Sequence, residues 1–216
     1  MSGGLSTDIV QSFVGSFEFI CTSILVEGYQ EAIKDAKYNR DWIEDSFTNY
    51  LATFMRKSKT TKEKCVFIKT QVEPENDGLP IPKTKDDPRR QPRIDFWLGS
   101  FTSPSNKHEY YVEAKNLCSS DWKKSNGTII SASYLKRRYI DTGIENFTTE
   151  RYPRGCLAGY VLYGTKKKCV DGINKLLEKD GRKAEVLAMC SDSTGFEDLY
   201  ISKHDSIELK HFLFEF

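Results

Sequence analysis

Three ionisable side chains, Asp95, Glu113 and Lys115, carry the clearest chemical signal in this 216-residue chain. They fall in residues 93–116, which read as two strands joined by a polar turn over 103–107, where Pro, Ser and Asn cluster. A hairpin centred near Pro104 pairs residues whose numbers sum to 208, setting Phe96 opposite Val112, Asp95 opposite Glu113 and Ile94 opposite Ala114. Side chains alternate along a strand. Ile94, Phe96, Leu98, Val112 and Ala114 then form an apolar face, and Asp95, Glu113 and Lys115 share the other with Trp97 and Tyr111. Like charges directly opposed on a sheet repel. A cation between them, or a proton on one carboxyl, relieves the repulsion. Hard ions such as Mg²⁺ take one or two carboxylates, with waters and substrate phosphate completing the shell. Lys115, two positions past Glu113, would add positive charge where a phosphate gathers negative charge. The plainer alternative is a surface Lys115–Glu113 pair beside a turn, which contributes little.

The elements before this hairpin bring further candidates. Residues 7–37 read as a long helix with Ile9, Phe13, Phe17, Ile20, Ile24 and Ala32 on one stripe, weakened at Gly15 and Gly28. It offers added packing or a dimer surface. A second helix over 41–57 carries Trp42, Ile43, Phe47, Tyr50, Leu51 and Phe54 inward. Glu44 borders that stripe and can reach toward the sheet, although Asp41 and Glu44 also have capping-box spacing. Asp45 lies on the polar face. The basic run 56–64 reads as a solvated loop suited also to phosphate contacts. In a strand over 65–73, Val66, Ile68 and Val72 share one face, while Lys69, Gln71 and Glu73 share the other. Gln71 or Glu73 would approach the site if this strand pairs beside the hairpin. A proline-rich loop over 74–92 follows, and Arg89, Arg90 and Arg93 near its end could guide a nucleic-acid backbone or merely keep the loop solvated.

Beyond the hairpin, 117–127 reads as a polar connection and 128–144 as a helix with Ala132, Leu135, Tyr139, Ile140 and Ile144 inward. Lys136, Arg137 and Arg138 would stand on its outer side as a basic ridge. Residues 155–164 form a buried strand, 170–179 a helix, and 184–190, 199–202 and 207–216 further strands. The last changes phase near His211, which predicts a bulge or an exposed edge.

A net charge of +1 argues against a protein that coats nucleic acid by bulk attraction, so local clusters would have to bind it. The opening residues lack a basic region before an apolar run, and 13–26 is interrupted by Glu18 and too short to span a bilayer. These features predict a cytoplasmic protein with no membrane contact. Six cysteines without C-x-x-C spacing, several of them in apolar runs such as those at Cys65 and Cys156, read as reduced, buried thiols. None of the three histidines pairs with a cysteine at zinc-ligand spacing.

R-I-D-F at 93–96, with Asp95 eighteen positions before the glutamate of V-E-A-K at 112–115, resembles the PD-(D/E)XK signature of restriction-endonuclease-like nucleases. Ile94 stands where that signature has proline, with Pro92 nearby. The resemblance implies an α/β fold with a restriction-endonuclease-like core of helix, three strands, helix and strand. Within a single domain, 1–38 would be an extra N-terminal helix, 39–165 the core, and 166–216 an additional C-terminal helix and strands. It further implies Mg²⁺, with Mn²⁺ able to substitute, held by Asp95, Glu113 and the Ala114 carbonyl. Lys115 would orient water and Glu44 would assist, in an endonuclease or exonuclease acting on nucleic acid, DNA first. Two alternatives stay open, since fold does not fix function. One is an inactive nucleic-acid-binding or interaction module on the same scaffold. The other is a nuclease subunit of a restriction or phage-defence complex, or a homodimer, joined through the first helix or the last strand.

Overall fold

Strands with apolar residues at nearly every position belong where both faces of a sheet are covered, and 155–163 is of this kind. The computed structural model describes residues 7–73, 93–103 and 106–216, which form a mixed α/β fold around a seven-stranded sheet. In chain order the strands are β1 Phe67–Val72, β2 Ile94–Ser103, β3 Asn106–Cys118, β4 Trp122–Lys123, β5 Ile129–Ile130, β6 Gly155–Tyr163, β7 Ala188–Cys190, β8 Leu199–Lys203 and β9 Glu208–Glu215. The sheet order is β1-β2-β3-β6-β9-β8-β7, with β4 and β5 as a separate pair. β3, β6 and β9 run parallel in the centre, and both flanks are antiparallel.

Two layers cover the sheet. Helices α1 Thr7–Asp35 and α2 Glu44–Lys57 bury Ile24, Leu25, Phe47 and Leu51 against Phe96, Val112, Ala158 and Phe214. On the other face, α4 Ala132–Arg138 continues as a π-helical stretch Tyr139–Ile144 and a short α5 Glu145–Thr148. Tyr139, Ile140 and Ile144 pack there with α6 Lys166–Lys179 over Leu117, Leu157 and Leu213. Among the described residues no helix is long and apolar enough to cross a membrane.

The expected hairpin register holds where the strands pair. Partners sum to 208 from Phe96–Val112 to Phe101–Lys107. The strands extend to Ser103 and resume at Asn106, so the connection is shorter than 103–107, and Pro104 lies outside the described residues. Toward Asp95 β2 leaves the ladder, and Ile94 consequently packs with Trp97 in the second layer instead of sharing the face of Phe96.

Other elements shift for local reasons. α2 starts at Glu44 without a capping box, because Asp41 instead accepts from the Ser125 amide at 2.9 Å. The basic run contains a short helix, α3 Lys59–Glu63, whose cap is Ser58. The helix expected from 128 begins at Ala132 because Ile129–Ile130 pairs with Trp122–Lys123. α6 begins at Lys166, earlier than expected, with the Thr165 hydroxyl accepting from the Lys168 amide. A 3₁₀ turn over Lys183–Glu185 replaces the start of the strand expected at 184. Gln71 has φ +54°, and the twist there turns Val72 into the second layer, away from Ile68. Cys156 is buried as expected, whereas Cys65 is exposed just ahead of β1.

The phase change near His211 is neither a bulge nor an edge. β9 lies between β6 and β8 in uninterrupted register, with Phe212 and Phe214 in one layer and Leu209 and Leu213 in the other. His211 is fully buried and belongs to a hydrogen-bonded chain: Tyr139 Oη to Nδ1 at 2.9 Å, and Nε2 to Ser202 Oγ at 2.8 Å. Ser202 Oγ then meets His204 Nε2 at 2.7 Å, and His204 Nδ1 meets Glu185 Oε2 at 2.5 Å. Burial lowers both histidine pKa values, that of His211 to about 3, so both rings are neutral. With Glu185 ionised, one direction of donation satisfies every atom, running from the Tyr139 hydroxyl to the carboxylate. Ser202→Ala would leave two buried imidazole nitrogens unpartnered, and urea unfolding is expected to show a loss of about 1–3 kcal/mol.

Candidate active site

The site forms where β2 and β3 part. Each buried amide needs a partner, and two amides on β3 find carboxylates in place of a strand. Ala114 N–H donates to Asp95 Oδ2 at 2.7 Å, and Asn116 N–H donates to Glu44 Oε2 at 3.0 Å. The divergence of β2 thus locks two acidic side chains beside Glu113 and Lys115. The other Asp95 oxygen accepts from Gln71 Nε2 at 2.9 Å, which the left-handed backbone of Gln71 presents from β1.

Lys115 stands at the centre. Its Nζ donates to Glu113 Oε1 and to the Ala114 carbonyl at 2.8 Å, and lies 3.5 Å from Glu44 Oε1 and 3.9 Å from Asp95 Oδ2. Asp95, Glu113 and Lys115 are each about 95% buried, at 5%, 4% and 4% exposure. Burial pushes Asp95 up to about 6 despite the pull of Lys115. It pushes Glu113 up to about 8, again against Lys115, with Asp95 adding repulsion. For Lys115, burial works to lower the pKa, but the attraction of Glu113, Glu44 and Asp95 outweighs it and the pKa rises. The ammonium stays charged while a neighbouring carboxyl tends to hold a proton.

Opposite the strands lies the π-helical stretch. Gly143 lets it approach closely, since a Cβ there would sit 2.7 Å from Leu157 Cδ2 and 3.7 Å from the Lys115 stem. The approach brings Asn146 to the site, where Nδ2 donates to the Thr142 carbonyl at 2.6 Å and reaches Glu113 Oε1 at 3.4 Å. Arg151 donates to Asn146 Oδ1 at 2.7 Å. A pocket of about 320 Å³ opens above these groups, with four carboxylates (Glu44, Asp45, Asp95, Glu113) and four cations (Arg93, Lys115, Arg138, Arg151) in its wall.

The expected set of Asp95, Glu113, Lys115, Glu44 and the Ala114 carbonyl is therefore gathered, with Gln71, Asp45 and Arg93 around it. Glu73 is not among them; it lines a neighbouring groove with Lys69 and Trp97. Arg89 and Arg90 lie outside the described residues. The basic ridge dissolves because α4 packs against α6. Lys136 is buried and donates to the Ser119 carbonyl at 2.9 Å, Arg137 pairs with Asp180, and only Arg138 faces the site, 3.6 Å from Glu44. Thr142, Asn146 and Arg151 were not legible in advance. A π-helical insertion leaves no periodic signal in the sequence.

Among the described residues, no group of three or more His, Cys, Asp or Glu side chains is gathered as a metal cage. Mg²⁺ needs less, since one or two carboxylates suffice. Glu113 Oε2 is buried with no hydrogen-bond partner among the described residues. An oxygen left so is an open ligand position on a hard-donor set, and Asp95, Glu113 and the Ala114 carbonyl fit a hard cation on that ground. Searches with family models and against curated proteins and solved structures gave no match to this chain.

The raised carboxyls have a consequence for stability. In the folded, metal-free protein Asp95 keeps its proton up to about pH 6 and Glu113 up to about pH 8, where the unfolded chain has released both. Their contribution is therefore present at low pH and lost as pH rises. Glu113→Gln has no proton to lose there, so in chelator its Tm should gain on the wild type between about pH 5 and about 8.5. Parallel Tm curves would contradict the buried-carboxyl account.

Proposed function

We propose that this chain is a Mg²⁺-dependent nuclease of the PD-(D/E)XK type that hydrolyses phosphodiester bonds in DNA. The observation that carries the reading is the burial of Asp95, Glu113 and Lys115 around one pocket, with a Glu113 oxygen left unpartnered among the described residues. Chain order supports it as well. α2, β1, β2, β3, α4 and β6 follow the helix, three strands, helix and strand of a restriction-endonuclease-like core, with α1 ahead of it and α6 to β9 behind.

Asp95, Glu113 and the Ala114 carbonyl would hold the ion. Bound Mg²⁺ supplies a Lewis acid for the phosphate and eases deprotonation of water. Lys115 would turn its ammonium from Glu113 toward the attacking oxygen and the phosphate, where its charge offsets the negative charge that develops. Glu44, fixed on the Asn116 amide, keeps that ammonium within reach. Arg138, Arg151 and Arg93 at the pocket wall offer charge-assisted contacts to flanking phosphates. In the reaction, oxygen from water bonds to phosphorus as the bond to a sugar oxygen breaks, and a proton passes to the departing alcohol.

One observation favours a second reading, a binding module without turnover. Lys115 already occupies Glu113 and the Ala114 carbonyl, so the site is partly neutralised by the chain itself.

Plasmid, linear and single-stranded DNA, and RNA, incubated with Mg²⁺ or Mn²⁺ and with chelator, separate the two. Metal-dependent cleavage is expected, and Asp95→Ala, Glu113→Ala and Lys115→Ala should each lower it by about a hundredfold or more with the fold intact by circular dichroism. Undiminished cleavage in all three would end the catalytic assignment. Calorimetry showing no Mg²⁺ or Mn²⁺ binding, together with absent cleavage, would leave the binding module.

A further inference from the structure

The geometry points to a second subsite on the same face of the sheet: a groove floored by Trp97 that receives an unpaired nucleobase next to the cleavage site. It rests on the nuclease reading and deepens it, because it makes the substrate DNA with single-stranded character on that side.

Alternation along the strands sets the groove and the site in one line. Asp95, Trp97 and Phe101 share a face of β2, Glu109, Tyr111 and Glu113 share it on β3, and Lys69 shares it on β1, where Gln71 reaches Asp95. Trp97 is two residues from Asp95 toward the hairpin end, about 7 Å along the strand. A polymer with its phosphate at the carboxylates can run straight over it.

The chemistry of the groove is specific. The indole of Trp97 lies across Gly99, where a Cβ would meet ring atoms at 2.1 and 2.3 Å, so glycine lets the ring lie flat against the sheet. Its Nε1–H donates to Glu109 at 2.5 Å and fixes the ring. The ammoniums of Lys69 and Lys107 lie 5.3 and 5.8 Å from the ring centroid. Phe101, 52% exposed and 6.4 Å from Trp97 between centroids, forms the open wall of a groove of about 460 Å³. Trp97 is 7% exposed beneath the lysines, so a base would enter against Phe101 while the lysines swing out to phosphates. Lys107 pairs with Glu109 at 2.8 Å, with its side chain 40% exposed, and such a pair exchanges at little cost.

An aromatic face with flanking cations is how proteins hold single strands without reading sequence. A base inside a duplex has both faces covered by its neighbours and cannot offer one to Phe101. The groove therefore selects unpaired nucleotides.

Fluorescence anisotropy in chelator, with single-stranded and duplex oligonucleotides of one sequence, tests this on the full chain. Phe101→Ala is expected to weaken single-strand binding about fivefold or more while leaving duplex binding unchanged, and Phe101→Trp should restore it. Lys69→Ala with Lys107→Ala should weaken single-strand binding and flatten its salt dependence. Unchanged single-strand affinity in Phe101→Ala, or an equal loss on duplex, would overturn the groove while wild-type cleavage in Mg²⁺ leaves the nuclease reading standing. A wild-type protein that cuts no DNA in Mg²⁺ or Mn²⁺ would overturn that reading, and the groove's role with it.

Discussion

An ammonium buried among three carboxylates is the arrangement to which the rest of this molecule is fitted. Removing such charges from water costs several kcal/mol each unless the partners are close and their remaining lone pairs are satisfied. Lys115 meets that condition through Glu113, Glu44, Asp95 and the carbonyl of Ala114. The carboxylates meet most of it through backbone amides that β2 would otherwise have occupied. The separation of two strands is therefore the cause of the site rather than its setting. It frees the Ala114 and Asn116 N–H groups on one side of β3 while β6 holds the other side in parallel register. The arrangement is incompletely balanced, with three acids to one base and Glu113 Oε2 unpartnered among the described residues, and it is there that a cation or a proton would be drawn.

The surrounding layers give this corner its rigidity. β3, β6 and β9 bury side chains on both faces, so the strand carrying Glu113 and Lys115 cannot slip without disturbing two cores. The second layer is tied in by polar contacts too. Tyr139 begins the π-helical stretch that brings Thr142 and, just beyond it, Asn146 to the pocket, and its hydroxyl heads the chain through His211, Ser202 and His204 to Glu185. A buried polar chain satisfied at every atom specifies one arrangement of the elements it joins. π-helical insertions recur at functional sites because they re-aim side chains within an otherwise regular helix. Here the re-aimed residue reaches the glutamate at the centre.

The basic residues divide according to what packs beside them. Sequence places Lys136, Arg137 and Arg138 in one run, yet burial under α6, pairing with Asp180 and an approach to Glu44 give them three separate surroundings. Conversely, Arg138 and Arg151, distant from Arg93 in the chain, meet it at a single pocket. With a net charge of +1, such local convergence is what would attract a phosphate backbone under the proposed function.

Alternation and spacing in the sequence determined the hairpin register from Phe96–Val112 to Phe101–Lys107, the burial of Phe17, Ile24 and Ala32 on α1 and of Phe47 and Leu51 on α2 (though not of Ile43, which is exposed ahead of that helix), the buried strand β6, and the meeting of Asp95, Glu113 and Lys115. These follow from period and burial, which act within a few residues and so leave a pattern in the chain. Tertiary structure alone decided that Glu44 holds the Asn116 amide rather than a helix cap, that Ile94 changes layers, that β9 is central rather than an edge, and that Asn146 reaches Glu113. Each of these depends on which amide, ring or carboxylate from a distant segment satisfies a buried group. A choice among partners far apart in the chain leaves no periodic trace in the order of residues.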